Sequence, residues 1–105
     1  MMRYTIIFAK RVDAQLLKHV EFLARVSIPA AKAFRAEFAD LLIQLAENPF
    51  QFPAETDPNL PDGVYRKALF AKRYKALFMV DGSNIYLDAV VDCRQDTKAL
   101  YAQFN

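Results

Sequence analysis

The sequence predicts an α+β fold of order β-α-α-β-β-β, with a helical hairpin packed on one face of a small antiparallel sheet. Three observations predict it. A short run rich in β-branched and aromatic residues, Arg3 to Phe8, reads as a strand. Two apolar stripes at helical spacing follow, separated by a break at Ser27 and Pro29. The stretch from residue 64 to 96, VYRKALFAKRYKALFMVDGSNIYLDAVVDCRQD, then reads as three consecutive short strands.

Each element has its own warrant. Lys10 and Arg11 close the first strand, and Asp13 is the expected N-cap of the first helix. Leu16, Val20 and Leu23, with Leu17 and Ala24 beside them, recur at helical spacing to about Arg25. Ser27 as cap and Pro29 in the first turn restart the chain as a second helix. There Ala30, Phe34, Phe38, Leu41, Leu42 and Leu45 form one apolar stripe, and Lys32, Arg35 and Asp40 fall outside it. Pro49 ends that helix near Asn48, because the residue before a proline is driven out of the helical region. Helices joined by so few residues lie antiparallel.

Residues 48 to 63 hold Pro49, Pro53, Pro58, Pro61 and Gly63 and read as a long loop, with Phe50 and Phe52 packing back on the core. Strands are expected at Val64 to Phe70, Tyr74 to Val80 and Ile85 to Val91, with Asp81-Gly82 as a hairpin turn. The tail from Thr97 to Phe104 is expected to form one or two helical turns. The hairpin leaves the second face of the sheet only partly covered, and that open face is the expected binding surface.

Composition bounds the reading. The 105 residues are expected to form a single domain spanning 1–105, and 54% hydrophobic with 25% charged residues excludes disorder. The net charge of +2 neither requires nor forbids a nucleic-acid partner. The single cysteine, Cys93, excludes an internal disulfide and fits a reducing compartment; it is expected to be a small packed residue rather than a nucleophile. The apolar run before Lys10 is too short for a signal peptide, and no run approaches the roughly 20 residues that span a bilayer. A cytoplasmic protein is expected.

Charge is concentrated on the predicted sheet. Arg66, Lys67, Lys72, Arg73 and Lys75 follow one another with no acid until Asp81. Such a cluster fits an anionic nucleic acid, an acidic protein tail or a solvated face. His19, beside Lys18 and near Glu21, is expected at the surface, and one histidine with one cysteine makes no metal site.

The strand order, with YRKALFAKRYKALFMVDG feeding IYLDAVVDCRQD, resembles the RelE/ParE superfamily of toxins from bacterial type II toxin–antitoxin systems. The resemblance spans nearly the whole chain. It includes the proline-containing interhelical turn SIPAAKAF, the helix exit LAENPFQFP and the hairpin YKALFMVDG. It implies a growth-inhibiting toxin of a plasmid-stabilisation system, held inactive by a cognate antitoxin, with no cofactor, no small-molecule substrate and no membrane. One branch resembles ribosome-dependent messenger-RNA endoribonucleases; the other resembles ParE, which poisons DNA gyrase and performs no RNA chemistry. Members that bind an antitoxin without being toxic are a third possibility.

By position, Arg66, Lys75, Arg94 and Tyr101 match the working set of the nuclease branch. There the two guanidinium groups would clamp a phosphate, and the tyrosine would stack on a base or orient the attacking hydroxyl. The sequence departs from that branch at Ala68, where the nucleases are basic, and at Asp96, where some carry histidine. Asp88, Asp92 and Asp96 also crowd the last strand and its exit, where carboxylates repel a scissile phosphate. Helices of roughly 14 and 19 residues resemble the longer hairpin of the ParE branch. ParE-like chains usually end the last strand in histidine and arginine, where this one has Cys93-Arg94. The ParE-like branch is therefore preferred.

Overall fold

The computed structural model describes residues 3–102, so Phe104, included in the expected tail helix, lies outside the described residues. The elements are β1 (Thr5–Phe8), α1 (Lys10–Val26), α2 (Ile28–Glu47), a 3-10 turn (Pro49–Gln51), β2 (Arg66–Phe70), β3 (Tyr74–Asp81), β4 (Asn84–Asp92) and α3 (Thr97–Tyr101). This is the predicted order, followed by the short helix expected of the tail from Thr97. The sheet runs β1-β4-β3-β2. The β2–β3 and β3–β4 pairs are antiparallel, whereas β1 lies parallel to β4. The sheet is therefore mixed. The helical hairpin and two more strands intervene between β1 and β4, which is ample chain for a parallel pairing.

Ser27 makes the hairpin. Its backbone N–H donates to Leu23 O at 2.7 Å, closing α1, and its hydroxyl accepts from Ala30 N–H at 3.2 Å, opening α2. A single residue thus serves both helix ends, and the helices run back along each other with Leu16, Val20, Phe34 and Phe38 lining one groove. The expected cap at Asp13 is not observed. Ala9 is still tied to the sheet through Leu87 O at 2.9 Å, so α1 begins immediately after it and Asp13 falls in the first turn. There its charge faces the positive end of the helix dipole.

The main core lies between the hairpin and the sheet. Phe34, Tyr74, Phe78, Leu45, Val12, Ile85, Leu87 and Val90 are fully enclosed, and the Phe34 and Tyr74 rings meet edge-on with centroids 4.8 Å apart. Phe52 packs on this core as expected, but Phe50 does not. Phe50 is 53% exposed, with its edge against Tyr4 and the Arg66 guanidinium 5.0 Å above its ring.

β1 is too short to pair with all of β4: the ladder ends at Phe8↔Leu87. Helix α1 completes that edge with side chains. Gln15 Oε1 accepts from Val90 N–H at 2.8 Å, and His19 Nε2 donates to Val90 O at 2.8 Å. One helical turn separates the two side chains, so together they satisfy both backbone groups of one strand residue. The expectation of a surface histidine is corrected accordingly. The His19 ring is half-buried, with centroids 4.9 Å from Tyr74 and 5.9 Å from Phe34.

The second face of the sheet is partly covered, as expected, and Leu69, opposite Lys75 on that face, stays 66% exposed. Leu77, Ala89 and Val91 on the strands, Leu60 and Tyr65 from the long loop, and Tyr101 from α3 form a smaller buried cluster there. Register shifts at Leu77/Phe78 leave Asp88 as the extra residue of a β-bulge. Its carboxylate accepts from the Tyr65 hydroxyl at 2.6 Å, fastening the loop to the strand. At the β3–β4 turn, Asp81 pairs with Asn84 around Gly82 and Ser83, and Gly82 takes the positive φ of 60° that this tight hairpin demands.

Candidate functional site

The basic cluster read from the sequence divides into separate environments. On β2 and β3, residues directly opposite share a face, so Arg66, opposite Phe78, lies toward the helices. Lys67 and Lys75 lie on the other face, and Lys72 and Arg73 belong to the β2–β3 turn, where Ala71 and Lys72 adopt φ of 48° and 71°. The sheet does not present these side chains to one common ligand.

Lys75 is the centre of the covered face. It is only 9% exposed, and its ammonium donates to the carboxylate of Glu55, itself 4% exposed, in a close ion pair. Lys67 approaches the second oxygen of the same carboxylate at 3.5 Å, and Thr56 N–H donates to it at 2.9 Å. The Lys75 ammonium also stands 5.6 Å from the centre of the Tyr101 ring. Glu55 is held there by backbone pairing: its N–H donates to Tyr65 O at 2.8 Å, and Lys67 N–H donates to Pro53 O at 3.0 Å. The loop therefore lies along the outer edge of β2 like a short extra strand.

These contacts fix the charge states. Burial by itself would raise the Glu55 pKa, but the Lys75 hydrogen bond and charge, with Lys67 and Thr56, hold it below the ordinary 4.5. Burial would lower Lys75, and Glu55 with the Tyr101 hydroxyl holds it above 10.5 instead. Tyr101 is raised above 10.0 by burial, against the opposing pull of Lys75. Glu55, Lys75 and Tyr101 are each driven away from neutrality, the reverse of what general acid–base catalysis at neutral pH uses.

Arg66 and Arg94 stand apart from that cluster in their contacts. Arg66 donates to Phe52 O at 2.7 Å while lying over Phe50. Arg94, exposed just beyond β4, grips Asp92: its Nε and Nη2 lie 3.3 and 3.0 Å from the two carboxylate oxygens, and its N–H donates at 2.9 Å. Burial would raise Asp92, but Arg94 and then Arg73 hold it below 3.8. Of the sequence-derived set, contacts join Lys75 to Tyr101 and leave Arg66 and Arg94 with partners of their own.

The expectation of a packed Cys93 is corrected: the residue is exposed just past the end of β4. Its thiol is pushed above the ordinary 9.0 by desolvation, with Lys75 opposing and Asp92 and Glu55 adding to the rise, so it lacks the depressed pKa of a reactive thiolate. Glu55 itself escaped the sequence reading. It is one of three acids in a proline-rich loop, with Asp57 and Asp62, and no local pattern announces a partner at the far side of a strand. His19 did leave a signal, because Val12, Leu16, His19 and Leu23 share one helical stripe.

No family model matches the sequence, and no curated protein does. Solved structures do match. The chromosomal ParDE TA system from P. aeruginosa contains a chain that superposes with a TM-score of 0.64 at 16% identity, covering 86% of this chain and 96% of that one. A double arginine-to-alanine mutant of the E. coli toxin RelE in the free state matches with a TM-score of 0.53, also at 16% identity, over 98% and 97% of the two chains. The chain has the RelE/ParE-like fold. Within that fold the helical hairpin covers one face of the sheet, and the Glu55 loop with α3 covers part of the other.

Proposed function

We propose that the chain is the toxin of a type II toxin–antitoxin pair, neutralised by a cognate antitoxin and acting in the ParE manner on DNA gyrase. The observation that carries this reading is the enclosure of Lys75 by Glu55 and Tyr101. Cleaving messenger RNA requires positive charge free to meet a scissile phosphate and a group able to exchange a proton near neutrality. Here the lysine is neutralised by a buried carboxylate, Arg66 is engaged with Phe52 O, and Arg94 is engaged with Asp92. The ParDE match, at a TM-score of 0.64 against 0.53 for RelE, supports the same branch.

A nuclease reading has one observation in its favour, the juxtaposition of Lys75 and Tyr101. Inducing the protein alone in bacteria separates the readings. Growth arrest with a DNA-damage response and intact transcripts, reproduced as inhibition of purified gyrase, is the expected result. Transcript cleavage that Arg66→Ala and Arg94→Ala each abolish would replace it with the nuclease. Undisturbed growth would indicate a member that binds its antitoxin without toxicity.

A further inference from the structure

We infer that the pocket between the tip of the helical hairpin and the β2–β3 turn binds a free α-amino acid with an apolar side chain, such as leucine or methionine. The inference does not rest on the toxin assignment. The pocket has a volume of about 290 Å³, room for about ten groups the size of a water molecule, which suits an amino acid better than a drug-sized ligand. Leu23 and Val26 of α1 line it with Ala30, Ala33 and Phe34 of α2. The small side chains of Ala30 and Ala33, about one helical turn apart, leave the space open, and Val26 stays 73% exposed beside it.

Charges of both signs join this apolar lining. Glu37, one turn beyond Ala33, accepts from Ala71 N–H through Oε1 at 3.3 Å, a long bond that leaves its second oxygen for another donor. Lys72 and Arg73 enter from the turn. Arg73 is occupied, with Nε 4.0 Å from Asp92 and its guanidinium over the Phe22 and Tyr74 rings. Lys72 is exposed and has no ion pair among the described residues. Its backbone is strained. Ala71 and Lys72 take φ of 48° and 71°, where glycine or asparagine would be accommodated more easily. The neighbouring bonds hold that conformation: Arg73 N–H donates to Ala71 O at 2.9 Å, and Cys93 N–H donates to Arg73 O at 2.7 Å. A lysine at this position supplies an ammonium that glycine would not. The charges then select the ligand. A fatty acid would meet Glu37 and an alkylamine would meet Lys72, each with like charge. An amino acid satisfies both, its ammonium at Glu37, its carboxylate at Lys72 and its side chain on the apolar floor.

Heteronuclear NMR titration of the full chain with L-leucine tests the site, with saturable shifts expected at the Val26, Ala33 and Lys72 amides. Isocaproate lacks the ammonium, isoamylamine the carboxylate and glycine the side chain, and each is expected to bind at least about tenfold more weakly than leucine. Glu37→Gln keeps an acceptor for Ala71 N–H and is expected to weaken leucine about three- to tenfold, bringing it close to isocaproate. Lys72→Gly relieves the left-handed strain, so it is expected to resist urea at least as well as the parent and yet to weaken leucine by a similar factor. Loss of binding in that variant is therefore not loss of fold. Lys32→Ala, on α2 but outside the lining, is expected to leave binding unchanged. Three results would overturn the site: no saturable shifts with leucine, isocaproate or isoamylamine binding as tightly as leucine, or an unchanged leucine affinity in Lys72→Gly.

Discussion

Two cationic regions of this molecule are built from similar residues and end in opposite states. On the second face, Lys75 and Lys67 converge on Glu55, and the loop that supplies this carboxylate closes over the site with Leu60 and Tyr65, joined by Tyr101 from α3. At the α1–β4 cleft, Lys18, Arg25 and Arg94 line an opening that no segment among the described residues fills. A positive charge becomes structural where the fold places a carboxylate against it and excludes water, and remains available for a ligand where it does not. Counting basic residues along β2 and β3 does not distinguish these outcomes.

The largest test breaks the covered face. Glu55→Ala leaves the Lys75 ammonium nearly buried without its carboxylate, and a loss of about 3–5 kcal/mol in urea unfolding is expected. Lys75→Met is expected to cost less, because Lys67 remains 3.5 Å from Glu55 and still neutralises it. Replacing the whole pair, as Glu55→Leu with Lys75→Met, is expected to recover most of the stability lost in Glu55→Ala, since neither charge then needs a partner. Equal losses from the two single variants would show that Lys67 does not take over the neutralisation of Glu55, and losses near zero in both would show that the pair is solvated.

A smaller test sharpens the other region. His19→Leu keeps an apolar body against Tyr74 and Phe34 but strands Val90 O at the free edge of β4. A loss of about 1–3 kcal/mol is expected, the cost of one unsatisfied buried acceptor. Because the same bond anchors α1 beneath the cleft, amide exchange in the Lys18–Arg25 turn is expected to accelerate more than exchange in β3. Uniform acceleration would mean that the histidine supports the whole core and not the cleft.

The fold was legible because its elements are announced locally. The Ser27-Ile28-Pro29 restart, the stripe through Phe34, Leu41 and Leu45, and the Asp81-Gly82 turn each follow from short-range geometry, and each is observed. The candidate site was less legible because its decisive contacts are long-range. Glu55 meets a lysine twenty positions later, Gln15 and His19 reach a strand more than seventy positions away, and Tyr65 meets the bulge at Asp88. Arg66 and Lys75, read as neighbours on one basic surface, lie on opposite faces of the sheet by the alternation of strand residues.

The pH dependence of stability distinguishes the two regions most finely. Glu55 titrates below its ordinary 4.5 in the folded chain, so its contribution is complete above that value and is lost as pH falls through the folded pKa. Lys75 is raised above 10.5, so its contribution is complete below that value and is lost as pH rises through the folded pKa. Stability from this pair is therefore expected to be level between pH 4.5 and 10.5 and to decline on both sides. Asp92, held below 3.8 mainly by the exposed Arg94, adds a weaker and salt-sensitive acid limb. Urea titrations at low and high salt separate the contributions: Glu55→Gln is expected to remove the salt-resistant part of the acid limb and Asp92→Asn the salt-sensitive part. An acid limb that Glu55→Gln leaves intact would show that the carboxylate gains nothing from its lysines, and the covered face would then differ from the open cleft in packing alone.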